Sequence, residues 1–408
     1  MKQMEIKVYG YRWVVLVVFA LIQLSIQILW STFLPITGEA ATFYGVTPLS
    51  IGMLSMMFMF VYIFVSLPSS WVISNLGVKK GVGFAVVLMG TFGLVRGLFG
   101  NHYTVVLICT VMLSIAQPFI INSITTMTAR WFPVDERATA TGLALLAQLV
   151  GIMGGMVITP ILTAAIGIVP MLMSYGIFSA SLMVIFLIVY REHPPTPPSL
   201  VEVVEELPKM REGLKHVFKN RDSVLLMIIF CGGMVAFNSI STWIEQILAP
   251  RGFDSIDAGS IGGMMMLGGI LGCIILPLLS DKTKRRKLFL IIGVVAMIPG
   301  LVGLSYFETF PLLLIVGGLL GFFQLGLGPI IMEAAANVCQ PATEATTQGV
   351  LWMFGQGFSV VGIFLMDSFR TESGAMTPFI LVFAVIMACS LILAATLNES
   401  KLTSFEIK

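Results

Sequence analysis

The sequence has few charged residues and few residues able to assemble a catalytic or metal centre. Only 11% of its 408 residues are charged, and it contains three histidines and five cysteines. The cysteines are single and scattered, so neither a disulfide framework nor a metal-ligand spacing is present. There is also no Gly-rich phosphate loop and no clustered His or Asp. These absences argue against an enzyme, and no metal or other cofactor is expected.

Apolar residues, in contrast, make up 57% of the chain. A membrane-spanning helix needs about 20 mostly apolar residues. The sequence therefore predicts an all-α integral membrane protein with twelve transmembrane helices. The predicted spans are 11–36, 50–73, 81–99, 103–128, 138–163, 167–190, 223–248, 257–280, 287–306, 310–337, 345–368 and 376–397.

The basic residues fall on one side of this arrangement. Of the 23 Lys and Arg residues, only Arg96, Arg251 and Arg370 lie on the opposite side. Because basic residues near spans are retained in the cytoplasm, both termini are expected there. The first span is too long for a signal-peptide core, so no cleaved signal is expected. We expect a multi-pass protein of the inner (plasma) membrane, with its positive charge used for orientation and no nucleic-acid partner.

One long polar stretch, residues 191–222, divides the spans six and six. It predicts an N-terminal six-helix bundle (1–190), a cytoplasmic linker (191–222) and a C-terminal six-helix bundle (223–408). Identical residues recur 208 positions apart: Pro133 and Pro341, Glu136 and Glu344, Gln148 and Gln356, Gly154 and Gly362. Such pairs indicate a duplicated unit. Two six-span halves with a substrate site between them resemble the major facilitator superfamily.

The loop after the eighth span supports this resemblance. Asp281 precedes Arg285 and Arg286, as in the D-x-x-x-R-R loop of that superfamily. Retention of positive charge in the cytoplasm would explain the basic residues but not the acid before them. We therefore predict a cytoplasmic latch made of Asp281, Arg285 and Arg286. At the matching place after the second span, Ser74 replaces the acid.

Polar side chains inside the spans are the candidate substrate contacts, because hydrocarbon offers them no partner. An intramembrane Gln is about as often a link between helices as a ligand contact, and a mid-span Trp more often packs. No basic residue or histidine lies mid-span, which favours a neutral, cationic or large amphipathic substrate over an anion. Glu245 and Glu333 are the candidate coupling groups, and facilitated diffusion is favoured. The candidates include Gln23, Gln27, Trp30, Gln117, Asn122, Gln148, Asn238, Gln324, Trp352 and Gln356.

Several short stretches of the chain share a pattern with one known family of transporters. They are Tyr11–Leu16, Phe43–Thr47, Leu54–Met56, Ala116–Ile120, Ala129–Phe132, Ser239–Thr242 and Glu333–Ala335. These stretches resemble the feline leukaemia virus subgroup C receptor-related (FLVCR) family of heme and choline/ethanolamine transporters. The chain is similar to a prokaryotic-type member, with short loops and termini.

The resemblance implies a choline pocket built on an aromatic ring and two amides. Trp30, Gln117 and Gln356 match the family's tryptophan and glutamines, and Asn238 stands where the family has a tyrosine. A quaternary ammonium over an indole ring gains about 0.5–2 kcal/mol. Trp352, one helical turn before Gln356, is a hypothetical replacement for the missing ring. The predicted substrate-binding set is Trp30, Gln117, Asn122, Asn238, Trp352 and Gln356.

We therefore predict a secondary transporter, expected to be monomeric, for a small polar or cationic solute such as a choline- or ethanolamine-like amine. It would work by facilitative alternating access, with the two halves rocking about the site. Two alternatives within transport stay open, which are export of heme or another large amphipathic compound and proton-coupled drug efflux. A receptor without transport would carry an appended soluble domain, which the 191–222 stretch is too short to provide.

Overall fold

The structure is a computed structural model that describes residues 8–196, 217–339, 344–399 and 402. Within them, twelve helices are long and apolar enough to cross a membrane. This confirms the predicted all-α architecture, whereas linker residues 197–216 lie outside the described part. Spans one to twelve are Tyr11–Tyr44, Pro48–Leu76, Val78–Leu98, Tyr103–Asn122, Val134–Ile166, Ile168–Val189, Arg221–Arg251, Ser255–Thr283, Arg286–Tyr306, Phe310–Val338, Thr347–Ser368 and Thr377–Ala395.

The chain forms two compact units. Unit one comprises Met1–Phe33 and Ala40–Leu207, and unit two comprises Leu34–Glu39 and Pro208–Lys408. Six residues near the end of span one therefore belong, by their contacts, to the unit that contains spans seven to twelve. We call Leu34–Glu39 the docked segment. Nothing in the hydrophobic pattern of span one distinguishes these residues from their neighbours.

Span one contains a break just before the docked segment. Its first helix ends at Ser31, a 3-10 turn covers Leu34–Ile36, and a second helix runs from Thr37 to Tyr44. Pro35 contributes to the break, because proline has no N–H to donate and its ring disfavours a helical conformation in the residue before it. The helix thus ends where the chain passes from unit one to unit two.

Arg96 of span three stabilises this break. Its guanidinium donates to the carbonyl oxygen of Leu29 at 3.2 Å and to the hydroxyl of Thr32 at 3.2 Å. Leu29 lies in the last turn of the first helix, where carbonyl groups lack helical partners and the helix dipole favours a cation. The side chain is 1% exposed, so Arg96, in the last turn of span three, is buried against span one.

Spans eight and ten pack with almost no separation between their backbones. A Cβ added at Gly268 would lie 2.0 Å from the carbonyl oxygen of Gly318, and one at Gly272 would lie 1.9 Å from that of Phe322. A Cβ at Gly321 would lie 1.7 Å from the carbonyl oxygen of Met265. Small residues let helix backbones approach in this way. The Gly-rich run in span eight is therefore a packing surface within unit two.

Candidate substrate site and charged helix ends

Three glutamines on different spans of unit one are linked through their amides. Gln117 of span four donates to Gln27 of span one at 3.4 Å, and Gln27 donates to Gln148 of span five at 3.3 Å. We call Gln27, Gln117 and Gln148 the glutamine cluster. The amide nitrogen of Gln148 is buried and has no hydrogen-bond partner among the described residues. A buried donor without a partner is costly, so this nitrogen is suited to binding a ligand oxygen.

Trp30 lies one helical turn after Gln27 on span one, so the two side chains share a face of the helix. The indole is 8% exposed, and it precedes the break that Arg96 stabilises. Gln23, one turn before Gln27, donates to the carbonyl oxygen of Ile120 at 2.8 Å. Its own amide oxygen is buried and accepts no hydrogen bond from the described residues. This face of span one therefore presents an aromatic ring and amide groups together.

Asn122 is bound by span two. Its amide nitrogen lies 3.0–3.2 Å from oxygens of Ser66, Ser69 and Ser70. The hydroxyl of Tyr62 donates to its amide oxygen at 3.3 Å. Both ends of the Asn122 side chain are therefore used to join spans two and four. The structure does not bring Asn122 to the glutamine cluster.

In unit two, the structure brings Asn238 of span seven to span eleven. Its amide lies 2.9 Å from the hydroxyl of Ser359 and 3.5 Å from the amide oxygen of Gln356. The ring of Trp352 meets Phe230 edge-on, with centroids 6.0 Å apart. Spans seven and eleven thus position Asn238, Gln356 and Trp352. Ser359 and Phe230 could not be recognised from the sequence, because these contacts depend on how the two spans face each other.

Gln324 of span ten also lies in unit two and is 8% exposed. Its amide donates to the carbonyl oxygen of Gly233 at 2.7 Å, while its own oxygen is buried without a donor in the described residues. Gln324 therefore joins spans seven and ten with half of its amide. The other half remains available to a ligand or a water molecule.

The predicted latch loop forms ion pairs around one arginine. Arg286 pairs with Glu333 of span ten, and it lies 3.8 Å from Asp281. It also donates to the carbonyl oxygen of Leu402 at 2.7 Å. No acid of the described residues pairs with Arg285. The structure therefore brings Asp281 and Arg286 together with Glu333, and their role as a latch stays a prediction.

In unit one, Glu192 binds the loop in which Ser74 replaces the usual acid. One of its carboxylate oxygens accepts the N–H of Val78 at 2.9 Å, and the other accepts that of Lys79 at 2.5 Å. These N–H groups open span three, where backbone donors lack helical partners. Glu192 also pairs with Arg130. An acid that follows span six thus caps the loop in which Ser74 replaces the usual acid.

Unit two repeats this arrangement. The carboxylate of Glu399 accepts the N–H of Lys287, at the start of span nine, at 3.1 Å and 3.3 Å. Glu399 follows Glu192 by 207 positions and Lys287 follows Lys79 by 208, close to the offset of the repeated residues. In each unit, an acid that follows the last span therefore caps the N-terminus of the third span. This pair of acids was not recognised in the sequence.

We expect Glu192→Gln to lower the stability of the purified protein by about 1–2 kcal/mol, because it removes the charge from a partly exposed carboxylate bound to two N–H groups and an arginine. The measurement is the midpoint of thermal unfolding in detergent. Asp135→Asn is the control, since Asp135 is exposed and has no ion pair among the described residues. Equal midpoints for Glu192→Gln and wild type would contradict the role of Glu192.

The twelve-span fold and the paired acids of the two units indicate the class of protein to which the chain belongs. The chain belongs to the major facilitator superfamily, whose family model matches residues 15–363. It is therefore a multi-pass membrane transporter whose surroundings are the lipid bilayer. Among solved structures, it resembles an inward-facing, unoccupied bacterial homolog of the human lysosomal transporter Spinster, with a TM-score of 0.77. That similarity covers 97% of this chain and 98% of the other at 15% identity, so it bears on the fold alone.

Curated relatives show which transporters within the superfamily the chain resembles. The chain is 27% identical over 387 residues to solute carrier family 49 member A3 of Danio rerio, covering 91% of this chain and 81% of that protein. It is 26% identical over 406 residues to the choline/ethanolamine transporter FLVCR2 of Homo sapiens, covering 94% of this chain and 77% of that protein. The resemblance to the FLVCR family found in the sequence is confirmed.

Proposed function

We propose that this protein is a facilitative transporter for a small organic amine of the choline or ethanolamine type. It would act as a monomer in the inner (plasma) membrane, by alternating access, with both termini in the cytoplasm. The observation that carries the proposal is the common face of Trp30 and the glutamine cluster in unit one. The names of the curated relatives, choline/ethanolamine transporters, support the same substrate class.

The chemistry of this face suits a cation that carries a hydroxyl group. An ammonium group over an indole ring is attracted by the ring's negative face. The unpartnered amide nitrogen of Gln148 is a donor that a ligand hydroxyl would satisfy. Among the described residues, Arg96 is buried close to this face and donates to Leu29 and Thr32 of span one. The indole and the amides can therefore bind the ammonium group and the hydroxyl of one ligand.

The second half of the predicted site departs from the family. Where the family has a tyrosine, Asn238 donates to Ser359 instead of offering a ring. Trp352, held edge-on by Phe230, is the aromatic residue on the adjacent span. We propose that it supplies the second aromatic contact. A Trp352→Ala protein that binds choline as tightly as wild type would dismiss this assignment.

The test of the proposed function is binding of choline to the purified protein, compared with dimethylbutanol, its uncharged carbon isostere. We expect saturable choline binding, with the isostere bound about tenfold more weakly because only the charged ligand gains the cation–π contact. Isothermal titration calorimetry measures both affinities. Ethanolamine and heme are titrated in parallel.

Two results would contradict the proposal. Equal affinities for choline and the isostere would mean that the site does not recognise the charge. Binding of heme without binding of any amine would favour the alternative of a large amphipathic substrate.

A further inference from the structure

One arginine of unit one holds span one both before and after Trp30. Arg96 of span three donates through Nη1 to the carbonyl oxygen of Leu29 and through Nη2 to the hydroxyl of Thr32, both at 3.2 Å. Its guanidinium also lies over the ring of Phe33, 5.8 Å from the centroid. Leu29, Thr32 and Phe33 are thus held by one side chain, and Trp30 lies between them in the sequence.

Span five holds Ser31, the last residue of the first helix of span one. A Cβ added at Gly155 would lie 2.0 Å from the hydroxyl oxygen of Ser31, so glycine lets span five approach this residue closely. The next residue, Thr32, donates to the carbonyl oxygen of Ile28 at 2.8 Å. The last four carbonyl groups of a helix have no partner within it. Side chains therefore bind this helix end from spans three and one, while span five packs against it.

The direction of the Trp30 indole depends on this backbone. Trp131 and Trp243 each donate their indole N–H to a carbonyl oxygen, at 3.2 Å and 3.0 Å. Within the described residues, the Trp30 indole forms neither a hydrogen bond nor an aromatic ring contact. A helical side chain points back over the turn that precedes it, so its direction follows from the backbone of that turn. A change in the backbone at residues 29–32 would therefore turn the ring.

The charge of Arg96 and its hydrogen bonds have opposite consequences for an amine. The side chain is 1% exposed, and no acid of the described residues forms an ion pair with it. A cation close to a bound ammonium group repels it, so the charge alone would oppose binding. The hydrogen bonds favour binding, because they fix the helix end that carries the indole. We propose that Arg96 is a positioning residue that holds the break in span one, so that the Trp30 indole faces the amine.

A guanidinium suits this role, and the inference rests on the proposed amine-transporter function. Its N–H groups form a rigid fork that can bond two acceptors at once, whereas the ammonium of lysine is a point charge on a flexible stem. The two acceptors here are separated by three positions and are bound by different nitrogens. Arg96→Lys is therefore expected to hold the helix end less well than arginine and better than an apolar side chain.

Fluorine NMR of the purified protein labelled with 5-fluorotryptophan tests the positioning without any ligand. The chain has six tryptophans, and the resonance that is lost in Trp30→Phe assigns Trp30. Arg96→Met removes all N–H donors and leaves an apolar side chain that suits the buried position. We expect the Trp30 resonance to shift or broaden in this variant, and those of Trp13 and Trp243 to stay unchanged. An unchanged Trp30 resonance would overturn the proposal.

Two further variants keep the test sharp. Thr32→Val removes one acceptor of Arg96 and keeps the shape of the side chain, so a smaller change of the Trp30 resonance is expected even if Arg96→Met fails to fold. Arg12→Met is the matched control, because Arg12 lies at the start of the same span and pairs with Glu136 at 2.9 Å. It is expected to leave the Trp30 resonance unchanged. A change as large as that in Arg96→Met would reflect general loosening and would overturn the proposal.

Titration calorimetry with choline measures the consequence for binding. Arg96→Met is expected to weaken choline binding about tenfold, less than Trp30→Ala, because the ring is displaced and not removed. In the Trp30→Ala background, the same change is expected to alter the affinity by no more than about twofold, since residues that act together are not additive. Tighter binding in Arg96→Met would assign Arg96 an effect of charge alone. That result, or the same loss in both backgrounds, would overturn the proposal.

The two measurements separate this inference from the proposed function. A Trp30 resonance that depends on Arg96, in a protein that does not bind choline, refutes the amine substrate and supports the positioning of Trp30 by Arg96. Choline binding that is lost in Trp30→Ala but unaffected in Arg96→Met refutes the positioning role and leaves the proposed function.

Discussion

Replacement of Trp30 by alanine is expected to weaken choline binding about 30-fold. The indole is 8% exposed and shares a helix face with Gln27. A cation–π contact at a desolvated site contributes about 2 kcal/mol, which corresponds to this change in affinity. Titration calorimetry on the purified variant measures the dissociation constant. Trp30→Phe, with a weaker aromatic face, is expected to lie between alanine and wild type.

Trp13→Ala is the control for this prediction. Trp13 lies on the same span but is 40% exposed and contacts Phe132 edge-on. Its removal is expected to leave the affinity for choline unchanged. Equal affinities for Trp30→Ala and Trp13→Ala would show that the Trp30 ring does not contact the amine. If dimethylbutanol binding fell as much as choline binding in Trp30→Ala, the loss would reflect packing and not charge recognition.

Replacement of Gly321 by alanine is expected to have the largest effect on stability. The added carbon would lie 1.7 Å from the carbonyl oxygen of Met265, which is backbone and cannot rotate away. Spans eight and ten would have to separate along their length, which costs on the order of 3 kcal/mol. The measurement is the yield of monodisperse protein in detergent and the midpoint of its thermal unfolding. We expect a strongly reduced yield and a clearly lower midpoint.

Gly328→Ala is the matched control, since it makes the same chemical change in the same span. No atom lies within 4 Å of a Cβ built at Gly328. Alanine is also the better helix former, by about 1 kcal/mol. The variant is therefore expected to be as stable as wild type or slightly more stable. A Gly321→Ala protein as stable as Gly328→Ala would contradict the close packing of spans eight and ten.

Some contacts could be predicted from the sequence because they depend on local chemistry. Asp281 and Arg286 belong to one loop and the first turn of the next helix, and the structure brings them within 3.8 Å. The glutamines of spans one, four and five were recognisable because a polar side chain in lipid needs a polar partner. Their presence could be predicted, but their order of pairing could not. Which glutamine pairs with which depends on the rotation of each helix about its axis, and the pattern of apolar residues does not determine that rotation.

Other contacts could not be predicted because the partners are distant in the sequence and unremarkable in it. Glu192 follows a span and precedes a proline-rich stretch, and nothing local indicates that it caps span three. Asn122 stays a predicted substrate contact. The structure adds that its amide lies within 3.0–3.2 Å of three serines of span two, which the sequence does not indicate. A polar residue in lipid needs a partner, but only the packing of helices decides whether protein or ligand provides it.

The sequence alone determined that this chain spans the membrane twelve times. Each span satisfies its own backbone hydrogen bonds, so length and apolar composition suffice to identify it. Only the tertiary structure decided that Leu34–Glu39 belongs to unit two, where Glu245 accepts the N–H of Gly38. The two residues are more than 200 positions apart in the sequence. The donor is a backbone N–H, which every non-proline residue has, so the sequence does not indicate which N–H the acid binds.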